Sequence, residues 1–153
     1  MDGAKVYADQ RVRVFVYGTL MREHPNHRVL ADLDAHCIGE ATTATPRTLV
    51  DLGPYPALLP ADAARDSSAG CVVGELYELD GAKLDVLDSF EGCPDLYTRE
   101  RISLEHAGAP TEAWTYVLAM AAPAHAVLVV SGRYAGGGVV LRVDAREVLD
   151  KRQ

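Results

Sequence analysis

Apolar and polar residues alternate from Arg11 to Tyr17 (Arg-Val-Arg-Val-Phe-Val-Tyr), which predicts a strand with Val12, Val14 and Val16 on one face. The pattern breaks at Gly18-Thr19-Leu20, where Gly admits backbone angles that other residues resist. Pro25-Asn26 signals a turn, and the stretch from His27 to Leu33 reads as a short helix. From Cys37 to Leu52 the chain is β-like and rich in Thr, interrupted at Pro46. Gly53-Pro54-Tyr55-Pro56-Ala57-Leu58 then reads as a stiff loop whose two prolines fix the backbone, and residues 60–70 (PADAARDSSAG) as a solvated hairpin or loop.

Cys71 to Leu79 is a further strand candidate. Asp80 is placed to cap a helix from Gly81 to Phe90, with Leu84, Leu87 and Val86/Phe90 at helical spacing, and Gly92 and Pro94 stop it. Two strands follow, Tyr97 to Leu104 and Glu112 to Met120, joined by a Gly/Pro turn. Trp114, Tyr116 and Leu118 alternate along the second and read as core. The last 30 residues, with Ser131-Gly132-Arg133-Tyr134 and the run Gly136–Gly138, carry the weakest pattern. With no internal repeat and no linker, the expectation is a single α+β domain over residues 1–153, with residues 1–10 a loose N-terminal segment. It is strand-rich and barrel-like, with one or two helices.

Composition narrows the function classes. The 153 residues are 48% apolar, enough for one core, and no run of about 18 apolar residues predicts a membrane span. The start, MDGAKVYADQRVRV, lacks the apolar stretch of a signal peptide, so a cytoplasmic protein is expected. Fifteen basic against 22 acidic residues give a net charge of -7, which argues against a general nucleic-acid or anionic-membrane surface. Cys37, Cys71 and Cys93 are odd in number and widely spaced, so reduced thiols are the simpler reading.

Candidate chemistry centres on Asp88-Ser89-Phe90-Glu91-Gly92-Cys93-Pro94. A carboxylate held against apolar surface at a helix end has the raised pKa that an acid/base at neutral pH needs. An exposed Glu closing a helix has the same spacing. At Tyr17-Gly18-Thr19-Leu20, a strand turning sharply at Gly leaves successive N–H groups that can hold an anion, and an ordinary strand-ending turn has the same sequence. His24, His27 and His36 lack a converging carboxylate, so no metal site is expected. Cys93 has no His at a telling position to activate it, and Gly136–Gly138 lacks the Lys-Ser/Thr of a phosphate loop.

These features occur in one order: Tyr17-Gly-Thr-Leu, Pro25-Asn-His-Arg-Val-Leu30, Pro54-Tyr-Pro, Gly74-Glu-Leu-Tyr77, and Leu84 to Arg99 (LDVLDSFEGCPDLYTR). That series resembles the γ-glutamylcyclotransferase-like (AIG2-like) family, and within it the γ-glutamylaminecyclotransferases. The resemblance runs from about Val14 to Met120, and Ser131-Gly132-Arg133-Tyr134 agrees only in part with a Ser-Gly-Asp-Trp-like segment of bacterial members. It implies a compact barrel-like α+β fold, no cofactor, and Glu91 as the catalytic acid/base. It makes Tyr17, Gly18, Thr19 and Leu20 the loop that grips the glutamyl α-carboxylate, with Tyr97 lining the pocket and Arg99 helping to order it.

The chemistry so implied is self-consistent. The α-amine of a γ-glutamyl amide attacks its own γ-carbonyl and closes 5-oxoproline, so the enzyme mainly fixes a conformer, a gain of several kcal/mol. One carboxylate takes the proton from the attacking amine and returns it to the departing one. An ordinary Glu near ~4.3 facing an ammonium near ~8 is mismatched by about 4 units, roughly 5 kcal/mol, and raising Glu91 toward ~6–7 removes more than half of it. Glu91 is therefore expected to be largely buried beside Phe90 and the loop at Tyr17–Leu20. Three other readings stand beside γ-glutamyl-ε-lysine as substrate: removal of a γ-glutamyl protecting group from a biosynthetic intermediate, a non-catalytic binding module of the same fold, and a cysteine hydrolase at Cys93. The glycine run motivates the hypothesis that residues 131–153 close over the pocket and so select substrates.

Overall fold

A computed structural model of the chain describes residues 10–61 and 69–135. Residues 62–68 of the predicted hairpin, most of the N-terminal segment and Gly136–Gly138 lie outside the described residues. The strands are β1 (Arg11–Val16), β2 (His36–Thr43), β3 (Leu49–Asp51), β4 (Pro56–Leu58), β5 (Val73–Asp80), β6 (Tyr97–His106), β7 (Ala109–Leu118) and β8 (Val127–Leu128). Helix α1 (Arg28–Asp32) follows β1, and a 3-10 turn (Gly81–Lys83) leads into α2 (Leu84–Phe90) after β5. The expected strand-rich, barrel-like fold with two helices is present.

The strand order β1-β5-β2-β6-β7 closes on itself because β1 also pairs with β7, in parallel at Val14↔Trp114. Closure leaves these strands without a free edge over that stretch. β6 pairs with β7 from Tyr97↔Leu118 to His106↔Ala109, filling one edge of β7, so β1 and β4 share the other edge. β1 meets it at Trp114 and β4 meets it at Val117. At that handover the chain leaves β1 and runs into Gly18. The site described below occupies the split.

Local sequence explains most of these elements. Val12, Val14 and Val16 enter one apolar cluster, as the alternation predicts, while Phe15 and Tyr17 enter a second on the opposite face. The β6–β7 connection is the two-residue turn Ala107-Gly108, both at positive φ, the conformation that matches the twist of a hairpin. The predicted Gly/Pro turn is thus corrected: Pro110 belongs to β7, opposite Glu105. The predicted loop from Gly53 to Leu58 is also shorter than expected. Leu52 N–H donates to Tyr55 O and Gly53 N–H to Asp51 Oδ1, so the turn ends at Tyr55 and Pro56 begins β4. Pro is tolerated there because the first residue of a strand can do without its ladder donor.

Asp80 caps its helix as predicted, accepting from Ala82 N at 3.1 Å. A seven-residue helix is too short to hold itself, so α2 depends on packing. Leu84 and Leu87 are fully buried, contributing about 2 kcal/mol each. Val86 and Phe90, expected on the same apolar face, stand 50% and 43% exposed. The reason is geometric: Leu84 and Leu87, three apart, define the buried stripe, and Val86 and Phe90 share the other side of the helix.

Candidate active site

A cavity of about 210 Å3 opens where β1 and β4 part. Tyr17, Gly18, Thr19 and Leu20 form one wall, Tyr55 and Pro56 a second, Phe90, Glu91 and Leu96 a third, and Tyr97 and Tyr116 reach it from β6 and β7. Among its lining residues Glu91 is the only one with an acidic or basic side chain.

The wall at Tyr17–Leu20 is a turn in which Gly18 O accepts from Met21 N at 3.0 Å. Among the described residues, the N–H groups of Gly18, Thr19 and Leu20 donate to no protein acceptor. Three consecutive undirected donors beside a cavity are the arrangement that anion-holding backbone uses. The turn is pinned from behind. Asn26 donates its backbone N–H to Thr19 O and its Nδ2 to Thr19 Oγ1, both at 3.1 Å. His27 Nδ1 donates to Leu20 O at 3.0 Å. Gly18 is demanded by space: a Cβ there would stand 2.7 Å from Pro56 Cγ and 2.9 Å from Cδ. Asn26 also lines the cavity and was not among the sequence-derived site residues. Its signal lies in Pro25-Asn26, a turn signal that also stands in the series carrying the family resemblance.

Tyr17 serves as a strut. Its buried hydroxyl donates to Tyr116 O at 2.6 Å and accepts from Leu58 N at 3.0 Å, and burial pushes its pKa far up. The phenol therefore stays neutral and joins β7 to β4. Tyr97 lines the cavity and donates its hydroxyl to Pro56 O at 2.8 Å.

Glu91 is the C-cap of α2. Gly92 follows at φ +70, donating to Ser89 O, while Cys93 N–H donates to Asp88 O. This pair of bonds ends the helix and needs the left-handed residue that Gly supplies. The local sequence Glu91-Gly92 thus fixes where the carboxyl emerges. Glu91 is partly buried, and burial first and the Asp88 carboxylate second raise it to about 7. The C-terminal end of a helix, carrying partial negative charge, works in the same direction. The carboxyl is thus poised to take and give a proton near neutrality.

Arg99 is not in the cavity wall. It lies one layer behind, Nε 3.6 Å from Asp88 Oδ1 and its guanidinium carbon 4.8 Å from the Trp114 ring centroid. Asp88 also accepts from the Tyr116 hydroxyl at 2.8 Å. Burial, then Asp88 and Glu91, push the Cys93 thiol up to about 11, the opposite of what a nucleophilic cysteine needs. Among the described residues no group of three or more His, Cys, Asp and Glu is placed to hold a metal. Residues 131–135 do not line the cavity; Tyr134 is buried and stacks on His24 at 5.6 Å. The remainder of the expected closing segment lies outside the described residues. No helix among them is long and apolar enough to cross a membrane.

Three comparisons bear on this geometry. Residues 14–136 match the sequence profile of a family described as gamma-glutamyl cyclotransferase, AIG2-like. The chain is 43% identical over 120 residues to a γ-glutamylaminecyclotransferase of Bos taurus, covering 72% of this chain and 67% of that one. It is 36% identical over 122 residues to that of Rattus norvegicus, covering 72% and 80%. The crystal structure of an AIG2-like protein from Mus musculus superposes with a TM-score of 0.64 at 34% identity, covering 74% of this chain and 80% of that one.

Proposed function

The chain belongs to the γ-glutamyl cyclotransferase, AIG2-like family, and from that premise we propose that it is a γ-glutamylaminecyclotransferase, converting a γ-glutamyl amide such as γ-glutamyl-ε-lysine to 5-oxoproline and free amine. The observation that carries the mechanism is the position of Glu91, a carboxyl raised to about 7 in a cavity that it shares with the free N–H groups of Gly18, Thr19 and Leu20.

The glutamyl α-carboxylate binds the turn at Tyr17–Leu20. That contact folds the α-amine toward the γ-carbonyl and turns a floppy chain into a reactive conformer. Glu91, ionised, takes a proton from the α-ammonium. The amine attacks the γ-carbonyl carbon and the ring closes; as the γ C–N bond breaks, Glu91 gives its proton to the departing nitrogen and then takes the second proton from the ring nitrogen, which ends on the freed amine as its ammonium. Atoms balance without water, so one acid/base suffices. Tyr97 and Tyr55 wall the cavity, and Pro56 holds Gly18 at its distance. Arg99, behind Asp88, orders the wall rather than touching substrate. The reaction fits a cytoplasmic protein acting on small γ-glutamyl amides.

Products decide this reading. Incubation with γ-glutamyl-ε-lysine in 18O-water is expected to give equimolar 5-oxoproline and lysine, with no 18O in the 5-oxoproline. Labelled glutamate as the product would mean hydrolysis and would remove the cyclisation.

A further inference from the structure

Asp88 lies three residues before Glu91, one turn back along α2, and its Oδ1 gathers two groups from other strands. The Tyr116 hydroxyl of β7 donates to it at 2.8 Å, and Arg99 Nε of β6 stands 3.6 Å away. The three are largely shielded: Arg99 is 12% exposed, Asp88 25%, and Tyr116 is buried. The guanidinium carbons of Arg99 and Arg101 both lie over the Trp114 ring, 4.8 and 5.2 Å from its centroid. The chain of contacts runs from the surface pair Arg101–Glu112 through Trp114, Arg99 and Asp88 to Tyr116, whose ring lines the cavity.

A structural ion pair alone does not account for this arrangement. At 3.6 Å the Arg99 contact is an ion pair without a hydrogen bond, and the short bond to Asp88 is given to Tyr116 instead. The other groups facing Glu91 are Tyr17 from the end of β1, Tyr116 from β7 and Cys93 from the following turn. Burial raises all three, so they remain neutral near pH 7. Asp88 is thus the anion facing Glu91 among the described residues, with Arg99 the cation behind it.

We propose that Asp88 is a positioning residue for the cyclisation, an ion-paired carboxylate that anchors the Tyr116 hydroxyl in the cavity wall and sets the charge against which Glu91 exchanges its proton. This rests on the acid/base reading of Glu91. A carboxylate beside it favours the protonated form, which matches the acid to the amine it serves. Asp88 and Arg99 act on Glu91 from outside the cavity lining, which Tyr116 alone of the three enters.

The test reads Glu91 directly and needs no substrate. The 13C shift of its side-chain carboxyl, assigned by its loss in Glu91→Gln, is titrated in the wild type and in Asp88→Asn, Asp88→Ser and Asp88→Glu. Removing the charge in Asn or Ser lowers the Glu91 midpoint by at least about 0.5 pH unit, while Glu, which keeps it, leaves the midpoint within about 0.2. The acidic limb of kcat/KM moves by the same amount in the same direction. Ser is paired with Asn because Asn keeps the shape of Asp and an acceptor for the Tyr116 hydroxyl while Ser is smaller, so the two share only the lost charge. A midpoint unchanged or raised in both neutral variants overturns the proposal, as does an equal shift in all three, which would follow shape rather than charge. Because the titration is independent of turnover, absence of 5-oxoproline would count against the proposed reaction and leave this result readable.

Discussion

The Tyr17 hydroxyl donates to the backbone carbonyl of Tyr116 across 2.6 Å, tying the residue that begins the turn to the strand that floors the cavity. The same oxygen accepts from Leu58 N, so one phenol closes the gap between β7 and β4. Tyr17→Phe removes both bonds and leaves a buried N–H without its partner. The expected loss is about 1–3 kcal/mol in denaturant unfolding. Unchanged stability would mean that the strand split is held by apolar packing alone.

Gly18 carries a sharper constraint. A methyl at that position would press on Pro56 Cγ at 2.7 Å and Cδ at 2.9 Å; pucker can shift Cγ, but Cδ is bonded to the β4 backbone nitrogen and moves with it. Gly18→Ala is therefore expected to displace the three free N–H groups and lower kcat/KM by 10- to 100-fold, on the order of what a 1 Å misplacement costs. Full activity in this variant would show that the turn does not grip the substrate.

Asn26 gives the complementary case, because its side chain holds Thr19 Oγ1 while the backbone bond to Thr19 O survives the loss of that side chain. Asn26→Ala should raise KM by about 3- to 30-fold with kcat changed less, the pattern of lost ground-state positioning. A fall in kcat at constant KM would place Asn26 in the chemical step instead.

These positions also show what could be read in the chain and what could not. The strand at Arg11–Val16, the cap at Asp80 and the helix stop at Gly92 are local features, and their signals lie within a few residues. The closeness of Glu91 to Tyr17–Leu20 is not local: some seventy residues separate them, and only the resemblance to a known family joined them. The start of β4 at Pro56 is not legible because a strand of three residues carries no periodicity, and the strand's partner in β7 is distant in sequence, Leu58 pairing with Val117. Phe90 was misplaced because helical spacing defines a stripe without saying which of two stripes faces inward. Arg99 stands behind Asp88 rather than in the cavity wall, a placement fixed by strand register, which one sequence does not reveal.

Glu91 links activity to stability. Its value in the folded protein, about 7, lies above the ordinary value of 4.5. Between these limits the unfolded chain releases its proton first, so the stability contributed by protonated Glu91 is complete below about pH 4.5 and is lost as pH rises through about 7. Glu91→Gln, always neutral, should match the wild type in stability at pH 4. It should exceed it at pH 8 by up to roughly 3 kcal/mol, less whatever solvent screening removes. A variant no more stable at pH 8 than at pH 4, relative to wild type, would mean that Glu91 is not raised.

The ionised form of Glu91 begins the reaction, so kcat/KM should rise with pH through a midpoint near 7. The most direct test of the account is 5-oxoproline release from γ-glutamyl-ε-lysine by wild type and Glu91→Gln side by side. The account predicts release by the wild type and a loss of at least about 100-fold in the variant, with its fold intact. Equal release by both would contradict it and place the proton transfers on another group.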